Sequence, residues 1–165
     1  MRFTTVPASE TAFAMEQLIL AYHAAYSEAE INPLMLIPCV ILDLLCIHPF
    51  RNVNGRMSRL LSLLLMYKSG FNAGKYVSIE GQINTYKNYY YTSLQKSSER
   101  WHENDNSCFP FIESFLSFRT NGGQFSCNIS DFCCGVCREW RALFSPARQA
   151  GELCAPSGSL STACL

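Results

Sequence analysis

An apolar segment over residues 34–47 constrains the fold of this chain more than any other feature. Asn32 and Pro33 precede it, and this pair is typical of a helix N-terminus, because asparagine caps the first turn and proline suits its first position. The segment is apolar on nearly every side of the predicted helix, and Asp43 is its one charge. A helix that is apolar all round is buried, so we expect a central helix over about 33–47.

Helical spacing of apolar residues continues on both sides of this segment. We expect a first helix over about 10–26, a third over about 57–68, a fourth from about residue 78, and a short one over about 110–116. Ser78 is the expected N-cap of the fourth helix, and Gly70 is the expected C-terminus of the third. These segments predict an all-α domain.

Two features of the predicted helices leave alternatives open. Asp43 either orients the loop that follows the central helix, or lies at a crowded surface or caps a neighbouring helix. Tyr86 and Tyr90 of the fourth helix either stack on a nucleotide base or pack against the core with their hydroxyl groups at its edge.

A polar stretch separates the central helix from the third one. It reads HPFRNVNGRMSR over residues 48–59. The backbone of Asn54 and Gly55 can take positive φ values and turn its N–H groups inward, and a helix that begins at about Arg56 would aim its unpaired N–H groups at the same point. Such a turn is typical of an anion-binding site.

Several side chains of this stretch suit chemistry on a phosphate. Arg56 and Arg59 lie three positions apart, so on a helix both can reach an anion held at its N-terminus. Histidine titrates near neutrality, which suits His48 to take a proton from a hydroxyl group. Phe50 is expected to anchor the loop in the core. Taken singly, each feature also has an ordinary interpretation, because loop histidines and Asn-Gly turns are common without any function.

The stretch resembles the signature of the Fic (Fido) family, which reads His-Pro-Phe, any residue, Asp or Glu, Gly-Asn-Gly-Arg, two residues of any kind and Arg. The matching residues are His48, Pro49, Phe50, Asn54, Gly55, Arg56 and Arg59. The resemblance implies a Fic-type helical domain with the signature loop between two buried helices. It also implies that His48 is the catalytic base and that Asn54 and Gly55 shape an anion hole. Arg56 and Arg59 would then bind the phosphates of ATP.

Two positions of the stretch depart from the family signature. Asn52 takes the place of the acidic residue that binds Mg²⁺ in the family, and a neutral amide oxygen is a weaker ligand for that ion than a carboxylate. Val53 takes the place of the first glycine, where the backbone has to approach phosphate and needs a positive φ. We expect a strain of about 1–3 kcal/mol at Val53.

The resemblance covers about residues 2–116. Residues 2–7 resemble only the end of the family's β-hairpin flap, which aligns a target segment, so we expect most of the flap to be missing. The family's inhibitory helix ends in Glu followed by Gly or Asn, with Ser or Thr four residues before the Glu. Glu80 and Glu103 have such endings but lack the Ser or Thr, so no internal inhibitor is predicted.

Composition and charge exclude several other classes of protein. The 165 residues are 48% hydrophobic, enough to bury a core, and the formal net charge is +0. No overall field therefore favours nucleic acid or an anionic membrane, and neither is expected as a partner. The apolar run over 34–47 is shorter than the ~20 residues that span a bilayer. The N-terminus lacks the apolar core of a secretory signal, so a cytoplasmic location is expected.

The last part of the chain is a different kind of sequence. Residues 119–165 contain six of the nine cysteines and end in a stretch rich in Gly, Ser, Ala and Pro. We expect a Fic-like domain over 1–118 and a tail over 119–165 that is disordered or non-native, for example an out-of-frame extension. Cys134 and Cys137 have the spacing of half a zinc site, but the tail offers no second pair at that spacing, so zinc binding is not expected.

The leading functional prediction is a protein adenylyltransferase of the Fic type that uses ATP and Mg²⁺ and is weakened or inactive because of Asn52 and Val53. It would transfer AMP from ATP to a Ser, Thr or Tyr hydroxyl group of a target protein. Two alternatives remain open. One is a non-catalytic nucleotide-binding or protein-interaction module, and the other is a non-functional truncated fragment. The target protein and the oligomeric state are not predicted.

Overall fold

Helices make up the regular structure of the described part of this chain. The computed structural model describes residues 3–27, 31–72, 78–117, 136–138 and 140–144. The helices are α1 (Ala8–Ser27), α2 (Pro33–Ile47), α3 (Asn54–Lys68), α4 (Ile79–Thr85), α5 (Lys87–Ser98) and α6 (Phe109–Ser117). A 3₁₀ turn over Trp101–Glu103 lies between α5 and α6. No strand occurs among the described residues, and the predicted all-α fold is confirmed.

Four of the other helices pack against α2. The side-chain oxygen of Asn32 accepts a hydrogen bond from the N–H of Leu34 (3.0 Å), and Pro33 is the first residue of the helix, as predicted. Nearly every residue of α2 is buried, and the helix contacts α1, α3, α5 and α6. The apolar segment therefore forms the centre of the domain, which is the position that its all-round hydrophobicity predicts.

The ends of the helices follow the predictions in part. Gly70 has a φ of 82° and follows the C-terminus of α3, as expected of a residue without a Cβ. The hydroxyl oxygen of Ser78 caps α4, also as predicted. However, α3 begins at Asn54, three residues before its predicted start. No helix in the described part of the chain is long and apolar enough to cross a membrane.

The predicted fourth helix is divided into α4 and α5 at Tyr86. Tyr86 is 41% exposed, whereas Tyr90 is 6% exposed and meets the ring of Phe111 edge to face, with centroids 5.5 Å apart. Packing against the core, one of the two alternatives considered from the sequence, therefore holds for Tyr90 and not for Tyr86.

Asp43, the one charge of α2, is 3% exposed and binds two tryptophans. The indole N–H of Trp101 donates to Oδ1 (2.7 Å), and the indole N–H of Trp140 donates to Oδ2 (2.6 Å). A buried carboxylate is tolerated where such donors satisfy its oxygens. The direct partners of Asp43 are thus two indole groups, and the residue joins α2 to two segments that lie far along the chain.

A short segment near the C-terminus completes the core. Residues 136–138 and 140–143 are helical. The buried side chains of this segment, each at most 4% exposed, are Val136, Cys137, Trp140 and Phe144. The prediction of a disordered or non-native tail is wrong for this segment, because it packs into the same core as α2. The core therefore extends past the predicted boundary at residue 118, and the rest of 119–165 lies outside the described residues.

We expect Asp43 to make the stability of the domain depend on pH. Burial raises the pKa of Asp43 from 3.8 to about 7, although hydrogen bonds from the two indole groups act in the opposite direction. The folded state therefore holds a proton that the unfolded chain has lost. As a result, the contribution of Asp43 to the free energy of unfolding is complete below about pH 4. This contribution falls by up to about 1.4 kcal/mol for each pH unit as the pH rises towards about 7.

Urea unfolding of the unaltered protein and of Asp43→Asn, at about pH 5 and about pH 7, measures this contribution. Because Asp43→Asn removes the titrating group, its free energy of unfolding should fall less between the two pH values. The exposed carboxylate of Asp105 provides a control, and Asp105→Asn should keep the unaltered slope. Equal slopes for Asp43→Asn and the unaltered protein would contradict a carboxylate held in the core between two indole groups.

Candidate functional site

The signature loop, residues 48–53, connects α2 to α3 and is closed by the side chain of Asn54. The backbone N–H of Phe50 donates to Oδ1 of Asn54 (3.0 Å), and Nδ2 of Asn54 donates to the backbone oxygen of Phe50 (2.5 Å). Asn54 is 3% exposed. Its amide thus satisfies both backbone groups of Phe50 and fixes the width of the loop. This use of the side chain was not predicted from the sequence.

Phe50 does not anchor the loop through its ring. The ring is 44% exposed, so the prediction that Phe50 is held in the core is wrong. The physical reason is that the backbone of Phe50, and not its side chain, is fixed by Asn54. Asn52, in the position of the family's acidic residue, is also exposed on the loop.

Val53 carries the strained backbone of the site. Its φ of 70° and ψ of 2° lie in the left-handed region, where a β-branched residue is unfavourable. The expectation of a positive φ at this position is confirmed. Asn54 and Gly55, in contrast, are the first two residues of α3, and neither has a positive φ. The left-handed turn therefore falls one residue earlier than the Asn-Gly pair suggests.

The N-terminus of α3 presents two backbone N–H groups. Val53 has no side-chain oxygen that could cap the helix. The N–H of Arg56 already bonds to the backbone oxygen of Val53 (2.9 Å), but those of Asn54 and Gly55 have no acceptor among the described residues. These two N–H groups, at the positive end of the helix dipole, are the groups that can bind an anion.

The two signature arginines are in different environments. Arg56 is exposed and has no ion pair within the described part of the chain. A Cβ placed on Gly55 would lie 3.5 Å from Nη1 of Arg59, so the Arg59 guanidinium lies close to the first turn of α3. Arg56 is a residue of the first turn of α3, and the guanidinium of Arg59 lies close to that turn. Both side chains therefore add positive charge near the positive end of the helix dipole.

Arg59 is paired with a glutamate. Its Nη2 lies 3.2 Å from Oε1 of Glu80, a residue at the start of α4. The side chain of Arg59 is 24% exposed and that of Glu80 is 76% exposed, so water screens the pair from one side. Glu80 lacks the Ser or Thr that precedes the glutamate in the family's inhibitory helix. The structure nevertheless brings its carboxylate to the second signature arginine.

His48 is the C-cap residue of α2, and its backbone is fixed in that position. Its φ is 57°, its N–H donates to the backbone oxygen of Leu44 (3.0 Å), and its ring is exposed. Nδ1 lies 3.4 Å from the backbone oxygen of Leu45. A hydrogen bond there requires the proton on Nδ1, and it leaves Nε2 free to accept a proton from a substrate.

Three buried cysteines meet away from the signature loop. Cys39 of α2, Cys108 before α6 and Cys137 of the C-terminal segment have Sγ atoms within 4.8 Å of one another. Hydrogen bonds from Cys108 and Cys39 lower the pKa of Cys137 to about 4. Hydrogen bonds with Cys108 and Cys137 raise the pKa of Cys39, and the hydrogen bond with Cys137 raises that of Cys108. Sequence spacing gave no sign of this cluster, because its members are far apart along the chain. Cys134, the other half of the predicted pair, lies outside the described residues.

We expect Val53→Gly to stabilise the domain. Glycine removes about 1–2 kcal/mol of left-handed strain, and it adds about 0.5–1 kcal/mol of unfolded-state entropy. Val53 is 50% exposed, so little apolar burial is lost. Chemical denaturation should therefore show a gain of roughly 0.5–1 kcal/mol. Val53→Ala, which keeps a Cβ, is the matched control and should gain less. A free energy of unfolding for Val53→Gly at or below that of Val53→Ala would contradict strain at this position.

Comparison with known families covers the part of the chain that carries this site. A model of the Fic/DOC family matches residues 1–66, which include α2, the whole signature loop and most of α3. A search of curated proteins gave no match. The matched range contains every signature residue from His48 to Arg59, so it confirms the resemblance that the loop predicts. Residues 1–66 of this chain are similar to the Fic/DOC family.

Proposed function

We propose that this chain is a protein adenylyltransferase, which transfers AMP from ATP to a Ser, Thr or Tyr hydroxyl group of a target protein. The observation that carries the proposal is the arrangement of the signature loop: His48 ends α2, and α3 begins with two unpaired backbone N–H groups and carries Arg56 and Arg59. These groups lie within the range that matches the Fic/DOC family. They supply a base and a set of donors for phosphate, which are the groups that this reaction needs.

The phosphates of ATP would bind at the start of α3. The N–H groups of Asn54 and Gly55 can each donate to a phosphate oxygen, and the positive end of the helix dipole favours the charge. Arg56 is exposed and can turn to the same anion. Arg59 can do so when its contact with Glu80 opens. Backbone donors fixed in advance stabilise the charge that develops on the leaving pyrophosphate.

His48 would act on the acceptor hydroxyl group. Its Nε2 takes the proton as the hydroxyl oxygen attacks the α-phosphorus of ATP. The bond from that phosphorus to the pyrophosphate oxygen breaks, so AMP becomes linked to the protein and pyrophosphate leaves. His48 has a left-handed backbone at the C-terminus of α2, and its exposed ring belongs to the loop that leads into α3.

The residues of the loop do not fit a Mg²⁺ ion held by the protein. Residues 48–59 contain no carboxylate, and Asp43 of the preceding helix is buried with both oxygens bonded to indole groups. The amide oxygen of Asn52 is neutral, and Mg²⁺ prefers carboxylate and phosphate oxygens. We therefore assign no step to a protein-bound ion. Mg²⁺ would enter as the complex with ATP, which is the form of the substrate.

A second candidate function is a nucleotide-binding module without catalysis. Two observations favour it. Asn52 stands where the family has an acidic residue, and the guanidinium of Arg59 is already paired with the carboxylate of Glu80. Binding of ATP without transfer would distinguish this module from the enzyme, because both use the N-terminus of α3 but only the enzyme needs His48.

Transfer of labelled AMP tests the leading proposal. With ATP labelled at the α-phosphate, Mg²⁺ and a host lysate as the source of acceptor, the protein should label one or more proteins. His48→Ala should lower the rate by about 100-fold or more, because a positioned base contributes about that much. His23→Ala, which alters an exposed histidine of α1, is the matched control and should leave the rate unchanged.

The double change Asn52→Asp and Val53→Gly should increase the rate, by about tenfold or more, because it supplies a carboxylate for Mg–ATP and relaxes the loop. Label that persists in His48→Ala would contradict the proposed reaction. No label in either the unaltered protein or the double variant, with ATP binding intact in both, would establish the second candidate.

We expect Glu80→Gln to strengthen ATP binding. The Glu80 carboxylate competes with phosphate for Arg59, but the pair is exposed on one side and is worth no more than about 1 kcal/mol. The dissociation constant of ATP should therefore fall by up to about fivefold, measured by calorimetry with Mg²⁺ present. Glu103→Gln, which alters an exposed glutamate paired with Arg100, should leave it unchanged. Weaker ATP binding in Glu80→Gln would contradict competition at Arg59.

A further inference from the structure

We propose that Cys39, Cys108 and Cys137 form a binding site for a zinc ion that fastens the C-terminal segment to α2 and α6. The site is separate from the signature loop and does not depend on the proposed transfer of AMP. It rests on the position, burial and charge of the three cysteines and of the arginine beside them.

The three sulfur atoms already have a metal-site arrangement. Their Sγ atoms lie within 4.8 Å of one another, and the three residues are 0%, 2% and 3% exposed. All three are free cysteines. Zinc bound to thiolates has Zn–S distances of about 2.3 Å, which places the sulfur atoms about 3.8 Å apart. A contraction of at most about 1 Å therefore closes the cluster around an ion.

Each cysteine comes from a different part of the fold. Cys39 lies on the central helix, Cys108 directly precedes α6, and Cys137 belongs to the segment of residues 136–138 and 140–144. Three thiol groups that pack for hydrophobicity alone have no reason to converge from three elements on one point. A metal ion gives them a common partner, and it links the segment to the rest of the domain.

The charge around the cluster favours a divalent ion. Arg141 follows Cys137 by one helical turn, and its positive charge acts on Cys137. The Nε of Arg141 is buried and has no hydrogen-bond acceptor in the described part of the chain. Three thiolates carry three negative charges, which a divalent ion and this guanidinium together neutralise. A monovalent ion such as Cu⁺ would leave a buried negative charge without a partner, which is costly in the core.

Asp43 does not supply a fourth ligand. It lies one turn after Cys39 on α2, but both of its oxygens accept hydrogen bonds from indole groups. The protein thus offers three thiolates from its described residues and leaves one position of a tetrahedral ion to another ligand. Zinc accepts this arrangement because it has no geometric preference from its d electrons.

Zinc titration of the reduced, metal-free full chain tests the proposal. Competition with a chromophoric chelator should give one zinc per chain, and the melting temperature should rise when zinc is added. Co²⁺ in place of zinc should give the thiolate charge-transfer absorption of a tetrahedral site. Zinc that does not bind, or that binds without raising the melting temperature, would overturn the proposal.

Alanine variants identify the ligands. Zinc binding should weaken by more than about 100-fold in each of Cys39→Ala, Cys108→Ala and Cys137→Ala. Loss of a residue that only hydrogen-bonds to a metal ligand costs at most about 100-fold, so a larger loss identifies a direct ligand. Cys46→Ala is the matched control, because Cys46 is a buried cysteine on the same helix as Cys39 but lies outside the cluster. It should bind zinc as the unaltered protein does.

If Cys39→Ala fails to fold, Cys137→Ala decides the question, because Cys137 lies outside the central helix. Unchanged zinc affinity in Cys137→Ala would place the metal on other cysteines and overturn the proposal. Mass spectrometry of the alkylated, reduced protein should find all three cysteines modified once it is unfolded. A disulfide between any two of them under the same reducing conditions would also overturn it.

Discussion

The buried carboxylate of Asp43 is the interaction on which the rest of this structure depends. Asp43 lies in the most apolar helix of the chain, and its burial is tolerated because the indole groups of Trp101 and Trp140 satisfy both oxygens. Those two contacts draw the turn before α6 and a segment near the C-terminus onto α2. The same helix ends at His48. The helix α2 therefore both supports the candidate site and binds the C-terminal segment.

The signature loop combines a strained backbone at Val53 with hydrogen bonds from Asn54 that hold the loop together. Val53 holds an unfavourable left-handed backbone, and Asn54 compensates by bonding both backbone groups of Phe50. The result leaves two N–H groups of α3 unpaired and aimed out of the helix, which is a property that an anion site needs and an ordinary turn does not. The glutamate on Arg59 and the amide at position 52 both reduce the charge available to a nucleotide. Both would weaken the ATP binding that we propose.

The sequence predicted the fold where a local rule determines structure. The Asn32 cap, the buried α2, the Ser78 cap and the positive φ of Val53 all follow from residues near one another in the chain. It did not predict contacts between distant residues. Trp101 and Trp140 are each 1% exposed, and Trp140 lies within the tail that was predicted to be disordered or non-native. The four-residue spacing of Val136, Trp140 and Phe144 is a local sign of a helix there. No local rule brings Glu80 to Arg59 or three cysteines together.

Nuclear magnetic resonance of the two indole N–H groups tests the central claim most directly, because the chain has only two tryptophans. In the full chain labelled with ¹⁵N, both Nε1–H signals should be shifted by their bonds to the carboxylate and should exchange slowly with water. Both should also shift with pH around a common midpoint of about 7, as Asp43 titrates. An indole signal for either tryptophan with the shift and rapid exchange of an unfolded chain would contradict the account.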